Sequence, residues 1–221
     1  MALEVAPAEE GDIDRLMEIQ FSAFESDPYH DALFPGDHYA PSTRKAAGDR
    51  TIMEWRQDPS ARFIKCTDRE SGVILGYAKW NFYETERPRE EWAKSPEVDW
   101  YSGRKKEIAE NFLGATAAMR QKLWGGDPHY LLNILCVHKD HHRRGAGTML
   151  VQWGVVRAER LGLRSCLEAS PAGYPLYLRL GFRQVDTVVV KAADWDGSFD
   201  RHYIVMLKQP EEFTSVTAHE R

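Results

Sequence analysis

The sequence predicts an α/β fold, and three observations carry that prediction. An apolar run ending at Val137 leads through a short basic turn, His138 to Arg144, into Gly145-Ala146-Gly147 and then into an amphipathic stretch that stops at Gly162. Two strand-like segments, Ala61 to Thr67 and Val73 to Tyr83, flank the turn Arg69-Glu70-Ser71-Gly72 and predict a hairpin. Apolar residues at helical spacing recur between such segments, at Ile13, Leu16, Met17, Ile19 and Phe24 and again at Ile108, Phe112, Ala115, Met119 and Leu123.

Taken in order, Leu3 to Ala6 is a short first strand. Asp12 is the predicted N-cap of a helix from Ile13 to Ala23, whose apolar face reads as core, and Asp27-Pro28 breaks it. Phe34-Pro35-Gly36 marks a further turn. Ser42 is the predicted N-cap of a second helix, Thr43 to Arg56, which ends at Asp58-Pro59. After the hairpin, residues 84–128 read as an inserted helical lobe. It begins with a charged, proline-bearing stretch and continues as a helix from Ser102 to Trp124, terminated by Gly125-Gly126. Leu131 to Val137 is the central strand, Thr148 to Leu161 a helix, Leu163 to Ala169 a buried strand and Pro171 to Leu180 a short helix. Phe182 to Lys191 and His202 to Lys208 are the last two strands, joined by a polar connection, Asp194 to Asp200. Residues 209–221 read as a frayed tail. There is no internal repeat, and 221 residues suit one domain, 1–221, around a single core.

Strand, glycine turn and helix present backbone N–H groups to an anion. The helix dipole points its positive end at the turn, and Arg143 and Arg144 add full charges there. The expected ligand is a phosphate or pyrophosphate. The absence of Gly-Lys-Ser/Thr argues against a Walker-type loop. A single Gly-x-Gly, with no third glycine and no βαβ unit opening the chain, argues against a dinucleotide fingerprint. His138, His141 and His142 form His-x-x-His-His, but no Cys or carboxylate cluster accompanies them, and the spacing fits no common zinc site. No metal is expected.

The stretch His142-Arg143-Arg144-Gly145-Ala146-Gly147 resembles the acetyl-CoA loop of the GNAT superfamily of N-acetyltransferases, Arg/Gln-x-x-Gly-x-Gly/Ala, with His at the first position. Farther on, Leu176-Tyr177-Leu178-Arg179-Leu180-Gly181-Phe182 matches the family's Leu-Tyr-x-x-x-Gly-Phe run, entered through Ser170 where Asn is more usual. The two motifs occur in the family's order. The resemblance is strongest from Leu131 to Val190 and is silent on Glu84 to Asp127. It implies a mixed, mostly antiparallel central sheet flanked by helices, whose fourth and fifth strands splay apart.

The resemblance also implies roles. Backbone N–H groups of Arg143, Arg144, Gly145, Ala146, Gly147 and Thr148 would hold the pyrophosphate. Leu135, Cys136 and Val137 would border the pantetheine arm, with a backbone N–H near Val137 for the thioester oxygen. Ser170 would border the same cofactor. Tyr177 matches the family's general acid and holds a proton that a leaving thiolate can take, with packing against the cofactor as the other reading. Many members carry Glu or Asp in the middle of the fourth strand, where this chain has Asn133, which can hold a water or orient an amine but cannot take a proton. Glu168 is the nearest carboxylate in sequence to the expected cleft and is either a base or structurally paired. Phe24, Glu25, Asp27 and Tyr29 are candidates for the acceptor border, with an ordinary surface loop as the other reading. The inserted lobe either covers the acceptor or serves packing or dimer formation.

Composition bounds the rest. The net charge of −5 lacks the basic excess of a nucleic-acid binder. Cys66, Cys136 and Cys166 are odd in number and widely spaced, which reads as reduced thiols of a cytoplasmic protein. No apolar run approaches membrane-spanning length. The expected activity is direct transfer of acetyl from acetyl-CoA to a primary amine, of a small molecule or of a peptide. The competing expectation is a catalytically silent acyl-CoA-binding module.

Overall fold

A computed structural model describes residues 2–210 apart from 28, 29, 31–33, 35, 36, 38, 39 and 95. Pro28, Pro35 and Gly36 of the expected turns, the candidate Tyr29, and residues 211–221 of the expected tail lie outside the described residues.

The strands are β1 (Leu3–Pro7), β2 (Ala61–Asp68), β3 (Ile74–Tyr83), β4 (His129–Val137), β5 (Ser165–Ala169), β6 (Arg183–Val190) and β7 (Arg201–Lys208). The helices are α1 (Ile13–Ala23), α2 (Pro41–Gln57), the single turn α3 (Arg89–Trp92), α4 (Gly103–Leu123), α5 (Ala146–Arg160) and α6 (Tyr174–Arg179). The strands form one sheet in the order β1-β2-β3-β4-β5-β7-β6. Among the described residues only the β4–β5 pair is parallel, and it holds for three residue pairs, Tyr130↔Ser165, Leu131↔Cys166 and Leu132↔Leu167. Beyond Leu132 the two strands part, while β4 stays paired to β3 as far as Val137↔Gly76. The implied splay is therefore present.

Side-chain alternation along the strands gives the sheet two apolar faces. On one, Ile64, Ala78, Trp80, Leu132 and Leu167 pack against Ala146, Leu150, Val151 and Val155 of α5 and Tyr177 of α6. Each such large side chain contributes about 1.5–3 kcal/mol by leaving water. Gly154 permits this contact: a Cβ there would sit 2.2 Å from the Trp80 indole. On the other face, Phe63, Tyr77 and Cys136 meet α1 and α2, while Leu131, Cys166 and Val205 meet the α4 region. Two helical layers thus lie under the two halves of the sheet, one on each side of the splay.

Two expectations are corrected and one, the N-cap at Asp12, holds with a different use of its side chain. Ala40, not Ser42, is the N-cap of α2, and Pro41 takes the first helical position, where its fixed φ and missing N–H cost nothing. Asp12 does occupy the N-cap of α1, yet its carboxylate makes no capping bond. It instead accepts from Glu9 N and from Lys65 Nζ on β2. The phosphate-side helix starts at Ala146, inside the glycine turn rather than after it.

Candidate functional site

β4 has two edges with different fates. His138 N donates to Leu75 O of β3, at 2.9 Å. Backbone groups alternate along an antiparallel strand, so those of Cys136 also face β3, and those of Leu135 and Val137 face the gap left by β5. Leu135 and Val137 therefore stand where the resemblance expects an added strand. Cys136 does not: it pairs with Tyr77, is 1 % exposed, and packs on the α1 and α2 side. Burial pushes its thiol pKa well up, so it remains a neutral SH. The expectation of a ligand contact through Cys136 fails on strand alternation.

The turn after β4 is braced at every corner. His142 Nε2 donates to Val137 O at 2.9 Å, which occupies that carbonyl and leaves the Val137 N–H facing the gap. Lys139 N reaches Ser22 Oγ of α1, and Lys139 Nζ pairs with Glu25 at 2.5 Å. Arg143 adopts φ 59° and Gly145 φ 92°, the left-handed conformations that turn the chain into α5. The first turn of α5, Ala146, Gly147 and Thr148, carries N–H groups with no intrahelical acceptor. Arg143 and Arg144 are not equivalent. Arg144 Nη2 donates to Asp68 of β2 at 2.6 Å and Arg144 Nη1 contacts His141 Nδ1 at 3.2 Å, so its guanidinium holds the loop to the sheet. Arg143 is exposed and has no side-chain partner among the described residues. His138 Nδ1 accepts from Asp140 N, and no metal-holding group of His, Cys, Asp and Glu occurs among the described residues.

Tyr177 projects from α6 and is 7 % exposed, with its ring edge-on to Phe182 at 5.9 Å. Its hydroxyl makes no hydrogen bond among the described residues. Burial first, and Cys136 of β4 second, push the phenol pKa well above 10. Ser170 is an element of the α6 entry: its Oγ accepts from Gly173 N at 3.2 Å and its carbonyl from Gly173 N and Tyr174 N. A Cβ on Gly173 would lie 2.8 Å from the Tyr177 ring, so this glycine keeps the tyrosine in place.

Asn133 sits at the point where β4 leaves β5. The β3–β4 register slips there, from Lys79↔Ile134 to Trp80↔Leu132, so Asn133 is the extra residue of a bulge. It is exposed, and its Nδ2 donates to Asn81 Oδ1 at 3.1 Å. Asn81, 2 % exposed, donates in turn to Asp58 and Ser60. Glu168 lies on β5 across the gap, but Arg120 of α4 donates to both its oxygens, at 2.9 and 2.7 Å. Both oxygens of this carboxylate are thereby engaged in a two-point pair with a guanidinium. Of the acceptor-border candidates, Asp27 pairs with Arg201 at the start of β7, at 2.5 Å, tying the two halves together. Phe24 stacks on the His30 ring at 5.2 Å.

Asp68, Asn81 and Arg120 had no signal in the sequence reading. Their partners lie 76, 52 and 48 residues away, and no local pattern encodes such pairs.

A family model described as "Acetyltransferase (GNAT) domain" matches residues 106–184. Over 120 residues the chain is 32 % identical to a probable acyltransferase, SID5, of Ajellomyces capsulatus, spanning 54 % of this chain and 82 % of that protein. Among solved structures, the histone acetyltransferase HPA2 and related acetyltransferase of Corynebacterium glutamicum superposes with a TM-score of 0.64 at 21 % identity, covering 97 % of this chain and 99 % of that one. The putative acetyltransferase yncA of Salmonella typhimurium, solved with acetyl-CoA, gives 0.53 at 18 % identity, covering 99 % of each chain.

Proposed function

The chain belongs to the GNAT acetyltransferases, and from that premise we propose that it moves acetyl from acetyl-CoA to the primary amine of a small molecule, by direct attack with both substrates bound. The observation that carries the reading is the β4 edge released after Leu132, with Leu135 and Val137 facing the gap and the N-terminus of α5 at its end.

Those residues fit the nucleotide thioester. The first turn of α5 offers unpaired N–H groups and positive dipole to a pyrophosphate, and Arg143 adds an exposed charge. Leu135 N–H and C=O can hold an extended amide-bearing arm as a strand would. Acetyl-CoA supplies the activated acetyl group, as a thioester. Val137 N–H, whose carbonyl is already occupied by His142, is aimed into the gap where negative charge gathers on the thioester oxygen. Tyr177 Oη holds its proton throughout the physiological range, since burial raises its pKa, and gives it to the departing sulfur. The amine, losing one proton as it becomes an amide, returns it. Asn133 orients the amine or a water by its amide oxygen.

One observation favours the competing reading of a silent acyl-CoA-binding module. Neither Asn133 nor Glu168 is a free base, one being an amide and the other bound to Arg120. Thermal-shift titration with acetyl-CoA, CoA, ATP and NAD separates the ligands, since binding to the folded state adds about 2.7 kcal/mol at a hundredfold excess over Kd. Release of free thiol with an amine panel then separates the readings. A CoA-selective shift with amine-dependent release supports the transferase. A CoA-selective shift without release across the panel supports the module, and a larger shift with ATP or NAD overturns both.

A further inference from the structure

Among the described residues Arg50, between α2 and the proposed inserted lobe, meets no carboxylate. Arg56, Arg120, Arg144, Arg164 and Arg201 each meet a carboxylate, in pairs with Glu10, Glu168, Asp68, Asp127 and Asp27. Arg50 is half-buried, and among the described residues its guanidinium meets rings, 5.8 Å from the Trp100 centroid and 5.9 Å from that of Tyr101. Aromatic rings hold a guanidinium without supplying acceptors for its in-plane N–H groups.

Beside it is a cleft of about 310 Å³. Ala46, Ala47 and Arg50 of α2 line it, with Phe21 of α1, Phe34 from the α1–α2 connection and Tyr101 from the inserted segment. Two alanines leave room that larger side chains on α2 would fill. The cleft lies on the sheet face of Ile134 and Cys136 of β4, next in sequence to Asn133, because Phe21, Phe34 and Ala47 pack in one cluster with those two residues. Ser42 and Thr43 also line it, about 10 Å along the helix axis from Arg50.

We infer that this cleft seats the acceptor, and that the acceptor is an amine with an apolar middle and a carboxylate at its far end, read by the Arg50 fork. The inference rests on the acetyl-transfer reading above. Apolar walls take the carbon chain, the fork takes two carboxylate oxygens, and the inserted lobe supplies the aromatic wall that fixes the fork. Arg50 is here a specificity-determining residue and takes no part in bond making.

The test compares three amines of equal chain length: ε-aminocaproate, its amide, and hexylamine. The acid is expected to have the lowest KM. Arg50→Gln is expected to raise that KM about tenfold or more, since a charged hydrogen-bonding partner is lost, with the KM for acetyl-CoA and for the amide unchanged. Arg50→Lys keeps the charge without the fork and is expected to fall between; it also serves if Arg50→Gln does not fold. Titration of the acid into the CoA-loaded protein reads the same contrast without turnover. Equal use of the three amines by wild type, or equal binding of the acid by wild type and both variants, overturns the inference. Thiol release with hexylamine in that case leaves the acetyl-transfer reading standing, so the two fail separately.

Discussion

Arg120 closes a two-point ion pair on Glu168, at 2.9 and 2.7 Å, from α4 onto β5, the strand that flanks the gap. Glu168 is 8 % exposed and Arg120 28 %, so the pair is shielded from solvent. It ties α4 to the sheet at the edge of the proposed active site. Arg120→Ala strands a buried carboxylate and is expected to cost about 3 kcal/mol, read by urea unfolding. Glu168→Gln is expected to keep turnover, whereas loss of a general base costs about 10²–10⁴ in rate. A drop of that size in Glu168→Gln, with the fold intact, would return the carboxylate to the chemistry.

Tyr177→Phe removes one oxygen from a ring that stays packed on Phe182. The expected result is a fall in kcat of about 10²-fold or more with acetyl-CoA affinity nearly unchanged. Unchanged kcat assigns the ring to packing alone.

Adjacent arginines are expected to fail differently. Arg144→Ala breaks the Asp68 bond that holds the loop to β2 and should lower the Tm. Arg143→Ala touches no folded partner and should leave the Tm alone. Its effect should be weaker acetyl-CoA binding, with a flatter salt dependence than wild type. Identical behaviour of the two variants would remove this division of labour.

His129 links stability to acid. It is 2 % exposed, its Nδ1 lies 2.7 Å from Asp127 O, and burial lowers its pKa from 6.5 to about 4. In the unfolded chain the ring takes a proton near pH 6.5, and in the folded chain only near pH 4. Between those values the unfolded state binds more protons, so stability is complete above pH 6.5 and falls as pH drops toward 4. The loss amounts to about 3 kcal/mol at most. Urea unfolding across pH 7 to 4 should show this slope in wild type and a shallower one in His129→Gln.

Some of this protein was determined by local sequence. The glycine turn, the helix after it and the hairpin are written in residues adjacent in the chain, since turn chemistry and side-chain period act over a few positions. The short helix that carries Tyr177 was legible because its motif is contiguous, and the amphipathic run from Ile108 to Leu123 because a helix repeats. Tertiary structure decided the rest. Whether Cys136 faces the gap or β3 depends on strand alternation counted from a bulge at Asn133, and one added residue reverses it. Arg144 and Arg143 look alike in the chain, but only Arg144 meets Asp68, 76 residues away. Glu168 reads from the sequence as either a base or a paired carboxylate, and the pairing with Arg120 of α4, 48 residues away, is visible only in the fold. The physical reason is common to all three. Charge partners and strand edges are matched across the sheet by register and packing, and these join positions that no local period relates.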